Sequence, residues 1–166
     1  MPSAPPIADP GYWLMKSEPD EVSIDDLAHA PRQTLPWTGV RNYQARNYMR
    51  DGMKPGDGVL FYHSSCPAPG VAGLASIAGR AAPDTTQFDA ASPYFDAKSK
   101  PDAPRWLQID VKLDRKTRLL SLAEMREASD LATMLVLKRG NRLSITPVTP
   151  AEWLAVLARL GSHSPR

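Results

Sequence analysis

The segment YWLMKSEP (residues 12–19) decides the start of the fold, because it joins an apolar stretch directly to a polar one. Residues 12–16 are typical of a buried strand. Lys16, Ser17 and Glu18 then bring a cation, a hydroxyl and a carboxylate to the end of that strand. A tryptophan face beside such polar groups suits a flat, polar ligand, so this strand end is a candidate binding site.

A second polar segment, WTGVRNYQARN (residues 37–47), contains a tryptophan, two arginines and three amides within eleven residues. Trp37 lies between Pro36 and Thr38, in a predicted loop rather than in a periodic apolar stretch. It either folds back on the core or forms one wall of a base pocket, where stacking contributes about 1–3 kcal/mol. Asn42 is a good N-cap for the helix that follows.

Length and composition limit the class of protein. A chain of 166 residues fits one domain that buries enough surface to fold without covalent links. Its one cysteine, Cys66, excludes an internal disulfide, and its three histidines lie too far apart for a zinc site. No apolar run reaches the ~18 residues of a membrane span, and residues 1–10 lack the features of a signal peptide. We therefore expect a cytoplasmic protein with a reduced thiol.

The net charge of +2 does not by itself indicate a partner, but the charges are unevenly distributed. Residues 1–40 contain two basic and six acidic side chains, whereas residues 41–166 contain eighteen basic and twelve acidic ones. This distribution permits a basic groove in the second part of the chain, although ordinary surface scatter gives similar counts.

Hydrophobic periodicity and turn signals predict a mixed α/β or α+β domain. Predicted strands span residues 12–16, 59–62, 70–82, 105–113 and 143–146, and predicted helices span residues 24–30, 42–50, 121–127, 130–138 and 150–160. The alternating Leu107, Ile109, Val111 and Leu113 mark one buried face of a strand. Residues 84–100 are polar and irregular, which is typical of a functional or mobile loop. No glycine-rich phosphate loop follows a strand, which argues against a nucleotide-cofactor fold.

Eight stretches, in chain order, carry a family resemblance: YWLMKSEP (12–19), WTGVRNYQARNYMR (37–50), GDGVLFYHS (56–64), PGVAGLASI (69–77), PDTTQFD (83–89), SPYFDAKS (92–99), PRWLQIDV (104–111) and RLSITPVTPAEW (142–153). Together they resemble the EVE domain, a member of the PUA-like superfamily related to the YTH domain. The resemblance implies an α+β fold with a twisted, partly closed β-barrel and surrounding helices. It places an EVE domain at residues 11–160, between a disordered leader (residues 1–10) and a tail (residues 161–166).

The resemblance also implies a pocket for a modified base. In it, Trp37 would stack on the base, and the polar residues after the first strand would lie at the rim. Glu18 would accept a hydrogen bond from an exocyclic amine, which cytosine has and thymine lacks. The complete predicted base pocket consists of Lys16, Ser17, Glu18, Trp37, Asn42, Tyr94 and Trp106.

The remaining tryptophans have different interpretations. Trp13, within a strand, and Trp153, on the last helix, are predicted to belong to the core. Trp106 precedes a strand on the face opposite its aliphatic residues, so it is core if the sheet is covered on both sides and a pocket residue otherwise. Tyr94 and Phe95 are candidates for a second aromatic wall.

Four basic residues are predicted to contact phosphate groups, namely Arg41, Arg46, Lys98 and Arg105. The alternative for these side chains is an ordinary solvated surface. Arg105 matches a family motif whose basic residue faces the ligand.

These observations predict a non-catalytic, monomeric module that binds nucleic acid and recognises a modified cytosine in DNA. The base must be flipped or single-stranded to enter a pocket. No metal ligands, catalytic residues or cofactor motifs are identified. Three alternatives stay open: an RNA-binding PUA-like domain that binds modified RNA or tRNA, a sensor of a free nucleoside or small ligand, and an enzyme that acts on a base.

Overall fold

The computed structural model describes residues 11–161, and these form a seven-stranded sheet with helices on both faces. The predicted leader (residues 1–10) and residues 162–166 of the predicted tail lie outside the described residues. The strands are β1 (Tyr12–Ser17), β2 (Thr34–Trp37), β3 (Gly58–His63), β4 (Gly70–Ile77), β5 (Ala82–Pro83), β6 (Leu107–Ser121) and β7 (Ile145–Val148). The α-helices are α1 (Ile24–His29), α2 (Tyr43–Asn47), α3 (Leu122–Glu127) and α4 (Pro150–Leu160).

The sheet runs in the order β2-β6-β4-β3-β1-β7, and β5 pairs with β6. β1 is parallel to β3, and the other neighbouring strands are antiparallel. The predicted α+β class is confirmed, but within residues 11–161 no pairing joins β2 to β7, so the sheet is not closed into a barrel. Each of these edge strands has four residues and contains a proline, Pro36 or Pro147. Proline lacks a backbone donor, which is tolerated at an edge and disfavours further pairing.

The fifteen-residue strand β6 organises the sheet, because it pairs with β2, β4 and β5. Ile109, Val111 and Leu113 are buried while the residues between them are exposed, which confirms the predicted alternation. The pairing of β4 with β6 shifts register beside Gly73. A Cβ atom at Gly73 would lie 2.6 Å from the Ile24 side chain, so a larger residue here would displace Ile24.

Both faces of the sheet are covered, and each has its own hydrophobic cluster. Trp13 and Met15 of β1 face the first cluster, which includes residues of α1 and α2. Leu14 faces the second cluster, which includes residues of α3 and α4. Successive residues of a strand point to opposite faces, so the apolar run of β1 serves both cores.

Side-chain caps set where the helices begin. Ser23, Ser121 and Thr149 each accept a hydrogen bond from the backbone in a reciprocal capping box, as their sequence context indicates. Asn42 accepts a hydrogen bond from the Ala45 amide, which confirms the predicted cap of α2. After Asn47 the chain continues as one π-helical segment, Tyr48–Gly52.

Two predicted elements differ from the structure. The predicted helix over residues 130–138 is wrong, since short 3-10 turns flank an extended, buried Met134. The Thr133 hydroxyl donates to the Glu152 carboxylate at 2.6 Å, and this tertiary contact replaces a continuous helix. The predicted loop before Trp37 is a strand, because β2 pairs with β6 from Thr34 to Trp37.

Candidate functional site

A cavity of about 670 Å³ lies between the edge strand β2 and the C-terminal end of β1. Trp37 of β2 lines it on one side, and Lys16 and Ser17 of β1 line it on another. Residues 92–94 and Ser144, which directly precedes β7, also line it. The cavity is therefore lined by residues of the edge strand β2, of the end of β1 and of the segment that precedes the edge strand β7.

The apolar wall of the cavity is formed around Trp37. Its ring meets Phe61 of β3 edge to face, with the ring centroids 5.3 Å apart. Trp37 is half-buried against the first hydrophobic cluster and also lines the cavity. One side of the ring packs on the core and the rest borders the cavity, so stacking of Trp37 on a base stays a prediction.

The polar rim follows directly from the YWLMKSEP segment. The Ser17 hydroxyl donates to the Val22 carbonyl at 2.6 Å, which fixes the turn after β1. Glu18, in that turn, is exposed and lines the cavity together with Glu21. Burial lowers the pKa of the Lys16 ammonium group, which lies at the same rim. Lys16, Glu18 and Glu21 therefore bring charged groups to the part of the rim that follows β1.

Tyr94 forms a second wall and is held at three points. Its hydroxyl donates to the Glu21 carboxylate, and its carbonyl accepts from the Arg41 guanidinium at 2.6 Å. Its ring lies against Gly39, where an added Cβ atom would be 2.8 Å from the ring. Burial, together with the Glu21 hydrogen bond, raises the pKa of Tyr94 to about 12. The hydroxyl is therefore a proton donor at neutral pH.

A buried carboxylate organises the backbone behind Tyr94. Asp84 is fully buried and accepts hydrogen bonds from the Gly39 amide at 2.8 Å, from Arg41 at 3.1 Å and from Thr86 at 2.7 Å. Burial by itself raises the pKa of Asp84, but the hydrogen bonds from Thr86, Gly39 and Arg41 outweigh it and hold the pKa below its ordinary value. This network joins β2 to the loop that carries Tyr94.

Arg41 is committed to this network. Its guanidinium donates to Asp84, to Thr86 and to the carbonyls of Val40 and Tyr94. Its role as a phosphate ligand stays a prediction. Its contacts support a positioning role, since they fix the loop of Tyr94 against β2.

Trp106 and Asn42, predicted for the base pocket, do not line the cavity. Trp106 is 6% exposed, and its indole donates to Asp96 at 2.8 Å. Its outer face stacks on Tyr43, with centroids 4.8 Å apart. The covered position of Trp106 agrees with the first of its two interpretations, and base contact by either residue stays a prediction.

The other predicted phosphate ligands differ in their availability. Arg46 donates to Asn47 and to the Arg105 carbonyl, and its guanidinium lies 4.7 Å from the Tyr43 ring centre. Lys98 is exposed, and Arg105 is half-buried beside Asp96, which it influences electrostatically. None of them lines the cavity, so their contact with phosphate stays a prediction.

Sequence reasoning missed several lining residues, of which Glu21, Arg142 and Ser144 bring polar groups. Arg142 and Ser144 belong to the stretch RLSITPVTPAEW, which was noted without a role for them. Their position just before a predicted strand could have identified them, because side chains at strand ends lie together at one edge of the sheet. Glu21 carries no comparable signal in its acidic surroundings.

The fold is that of an α+β domain with a cavity at the edge of its sheet. The model of the EVE domain matches residues 11–159, and the chain belongs to the EVE domain family. Thymocyte nuclear protein 1 of Homo sapiens is 43% identical, in an alignment that covers 89% of this chain and 72% of that protein. The protein of the same name from Danio rerio is 42% identical over 90% of this chain and 72% of its own length.

Solved structures show the same fold. A hypothetical protein from Leishmania major is 45% identical, with a TM-score of 0.86, over 91% of this chain and 94% of that chain. Human THYN1 in complex with 5-methylcytosine-containing DNA is 43% identical, with a TM-score of 0.83, over 93% of this chain and 99% of that chain. In the described part of this chain, no helix has the length and apolar character needed to cross a membrane.

Proposed function

We propose that this protein is a non-catalytic reader of modified cytosine in DNA, and that the base enters the cavity between β1 and β2. The observation that carries the proposal is an aromatic cavity with a polar rim in a chain 43% identical to a protein solved with 5-methylcytosine-containing DNA. A volume of about 670 Å³ is within the usual range for small-ligand pockets. A flipped or single-stranded base satisfies the geometric requirement for entry.

In this proposal the aromatic walls bind the faces of the base and the rim reads its edge. Trp37 and Tyr94 supply the walls, while Lys16, Glu18 and main-chain groups near Ser17 supply the polar contacts. The side chain of Ser17 already donates to a carbonyl, so its role is to shape the turn. Burying one methyl group contributes about 0.8 kcal/mol, which corresponds to about fourfold in affinity. The methyl preference is therefore expected to be modest unless the walls fit closely around it.

The absence of catalysis is part of the proposal. The Ser17 hydroxyl points its proton at a carbonyl rather than at a base, so it is not activated as a nucleophile. Tyr94 is a weak acid with a raised pKa that donates to Glu21.

Lys98 and Arg105 are proposed to contact phosphates beyond the cavity, because neither is held by an ion pair among residues 11–161.

The test measures the affinity for one oligonucleotide sequence that carries 5-methylcytosine, cytosine or thymine. Each version is tested as single-stranded DNA, as duplex DNA and as RNA. The unaltered protein is expected to prefer 5-methylcytosine in DNA, and Trp37→Ala is expected to lose that preference. Trp153→Ala is the matched control, because Trp153 stacks on Tyr12 and lies outside the cavity. Both variants lose aromatic packing, but only the first changes the cavity.

Equal binding of 5-methylcytosine and cytosine by the unaltered protein would refute the proposal. Tighter binding of the RNA would replace DNA by RNA as the partner. A preference that survives Trp37→Ala would place the base elsewhere. Salt-independent binding of a free nucleoside would indicate a small-ligand sensor, because a nucleoside brings no phosphates.

A further inference from the structure

Arg142 is exposed and also lines the cavity. Within residues 11–161, no hydrogen bond or ion pair holds its side chain. This distinguishes it from Arg41 and Arg46, whose guanidinium groups are occupied by protein oxygens. Arg142 therefore offers a complete set of donors at the mouth of the site, and guanidinium donors match phosphate geometry.

The backbone around Arg142 is fixed although its side chain is not. The Asn141 side chain donates to the Leu135 carbonyl at 2.8 Å and accepts from the Leu143 amide at 2.9 Å. The turn before it has a left-handed residue, Gly140, with φ of +80° and no atom within 4 Å of an added Cβ atom. One amide thus links the chain on both sides of Arg142 and holds the turn at the rim.

The charge around this turn is positive. Lys138 and Arg139 are exposed in the same turn, so residues 138–142 present three cations. The rim of the same cavity also carries the carboxylates of Glu18 and Glu21. A polyanion that places one base in the cavity is repelled by these carboxylates and attracted to the cations of residues 138–142.

From this arrangement we propose that residues 138–142 form the track for the DNA backbone, and that Arg142 binds the phosphate next to the base in the cavity. The inference rests on the proposed function, since it needs a base in the cavity to fix the register of the strand. It assigns the phosphate contact to a turn on the β7 side of the site. The occupied guanidinium groups of Arg41 and Arg46 then position protein groups instead.

The experiment measures DNA affinity against salt concentration for the unaltered protein, Arg142→Ala, Arg142→Lys and Arg80→Ala. Losing one phosphate contact is expected to reduce the salt slope by about 0.7–0.9, equivalent to about five- to eightfold in affinity at 0.1 M salt. Arg142→Lys keeps the charge and is expected to keep the slope. Arg80 is exposed and lies outside the cavity, so Arg80→Ala changes net charge equally without touching the track.

Arg142→Ala is expected to weaken binding of 5-methylcytosine and cytosine strands by the same factor. The inference would be overturned if Arg142→Ala and Arg80→Ala had the same salt slope. It would also be overturned if Arg142→Ala lost affinity only for the methylated strand. Melting temperature is measured for each variant to confirm folding. If only the inference about Arg142 is wrong, the unaltered protein still prefers the methylated strand and Trp37→Ala still loses that preference. If the proposed function fails, no methyl preference is seen in any variant.

Discussion

Tyr94 shows how single residues determine the cavity. Its ring, its hydroxyl and its carbonyl are each held by a different group, Gly39, Glu21 and Arg41. Such a side chain loses little freedom on ligand binding, so the wall is in place before the ligand arrives. The proximity of Tyr94 to β2 was not evident from its sequence position, because it depends on a hydrogen-bond network around the buried Asp84.

The titration of Tyr94 tests whether its hydroxyl is buried and bonded to Glu21. With its folded pKa at about 12, above the ordinary value of about 10, its contribution to stability is complete below pH ~10 and is lost as pH rises toward ~12. Burial also raises the pKa of Tyr62, so tyrosinate absorbance should show a late-titrating contribution from Tyr94 that Tyr94→Phe removes while that of Tyr62 remains. Glu21→Gln should move the contribution of Tyr94 to lower pH, and Glu127→Gln, on the exposed end of α3, should not. Unchanged late-titrating absorbance in Tyr94→Phe contradicts the prediction.

Glu18 is predicted to determine the choice between cytosine and thymine. Opposite thymine its carboxylate would face a second acceptor, at a cost of about 1–3 kcal/mol. Glu18→Gln keeps the size and adds a donor, so the affinity ratio between 5-methylcytosine and thymine should narrow. The two bases are compared in one oligonucleotide context, with Glu127→Gln as the control for lost charge. An unchanged ratio in Glu18→Gln would leave main-chain groups near Ser17 as the readers.

At the scale of elements, strand β2 and its following turn connect the core to the site. Gly39 in this turn has φ of +83° and supports the ring of Tyr94, whereas Gly56 has φ of +93° and no atom within 4 Å of an added Cβ atom. An added side chain at Gly39 would both strain the backbone and contact the cavity wall. At Gly56 it would only strain the backbone. Both positions require glycine for conformation, but only Gly39 requires it for space.

Gly39→Ala and Gly56→Ala should therefore differ more in their affinity for DNA than in their free energy of unfolding. Left-handed backbone costs a non-glycine residue about 1–2 kcal/mol, so both variants should be less stable by that amount. Gly39→Ala should in addition displace Tyr94 and weaken DNA binding, while Gly56→Ala should bind normally. Urea unfolding gives the first quantity and oligonucleotide titration the second. Equal binding by both variants would show that Tyr94 is not part of the site.

The elements also show what could be predicted from the sequence and why the rest could not. Alternation predicted the first part of β6, and turn and capping signals predicted the helices at residues 24–30 and 150–160, because these signals are local. The strand β2 was missed because Pro36 interrupts its pattern, and only pairing with β6 identifies it. The rim of the cavity follows from the end of β1, but Arg142 joins it through tertiary pairing of the following strand with β1.

At the scale of the whole molecule, one sheet supports two hydrophobic cores. Leu14 and Met15 are adjacent and fully buried, yet they belong to different clusters. A defect in either core is transmitted to the shared sheet. The prediction of one EVE domain over residues 11–160 therefore has a direct thermodynamic consequence, which is cooperative unfolding of both cores.

Leu14→Ala and Met15→Ala should each lower the free energy of unfolding by about 2–5 kcal/mol, because each removes fully buried apolar volume. In both variants, circular dichroism and tryptophan fluorescence should report one coincident transition. Leu154→Ala is the control, since Leu154 is 64% exposed and surface changes are usually within about 0.5 kcal/mol. Two separate transitions in either core variant would show that the clusters unfold independently.

The position of β1 between β3 and β7 has a consequence for how the chain acquires its structure. Tyr12 pairs with Gly58 on one side and with Val148 on the other, so an early segment is completed by a late one. Contacts between distant segments form slowly because the intervening loop must first be closed. During translation, the β7 side of β1 stays unpaired until Val148 has left the ribosome. Until then the nascent chain exposes an apolar strand edge, the kind of surface that chaperones protect from aggregation.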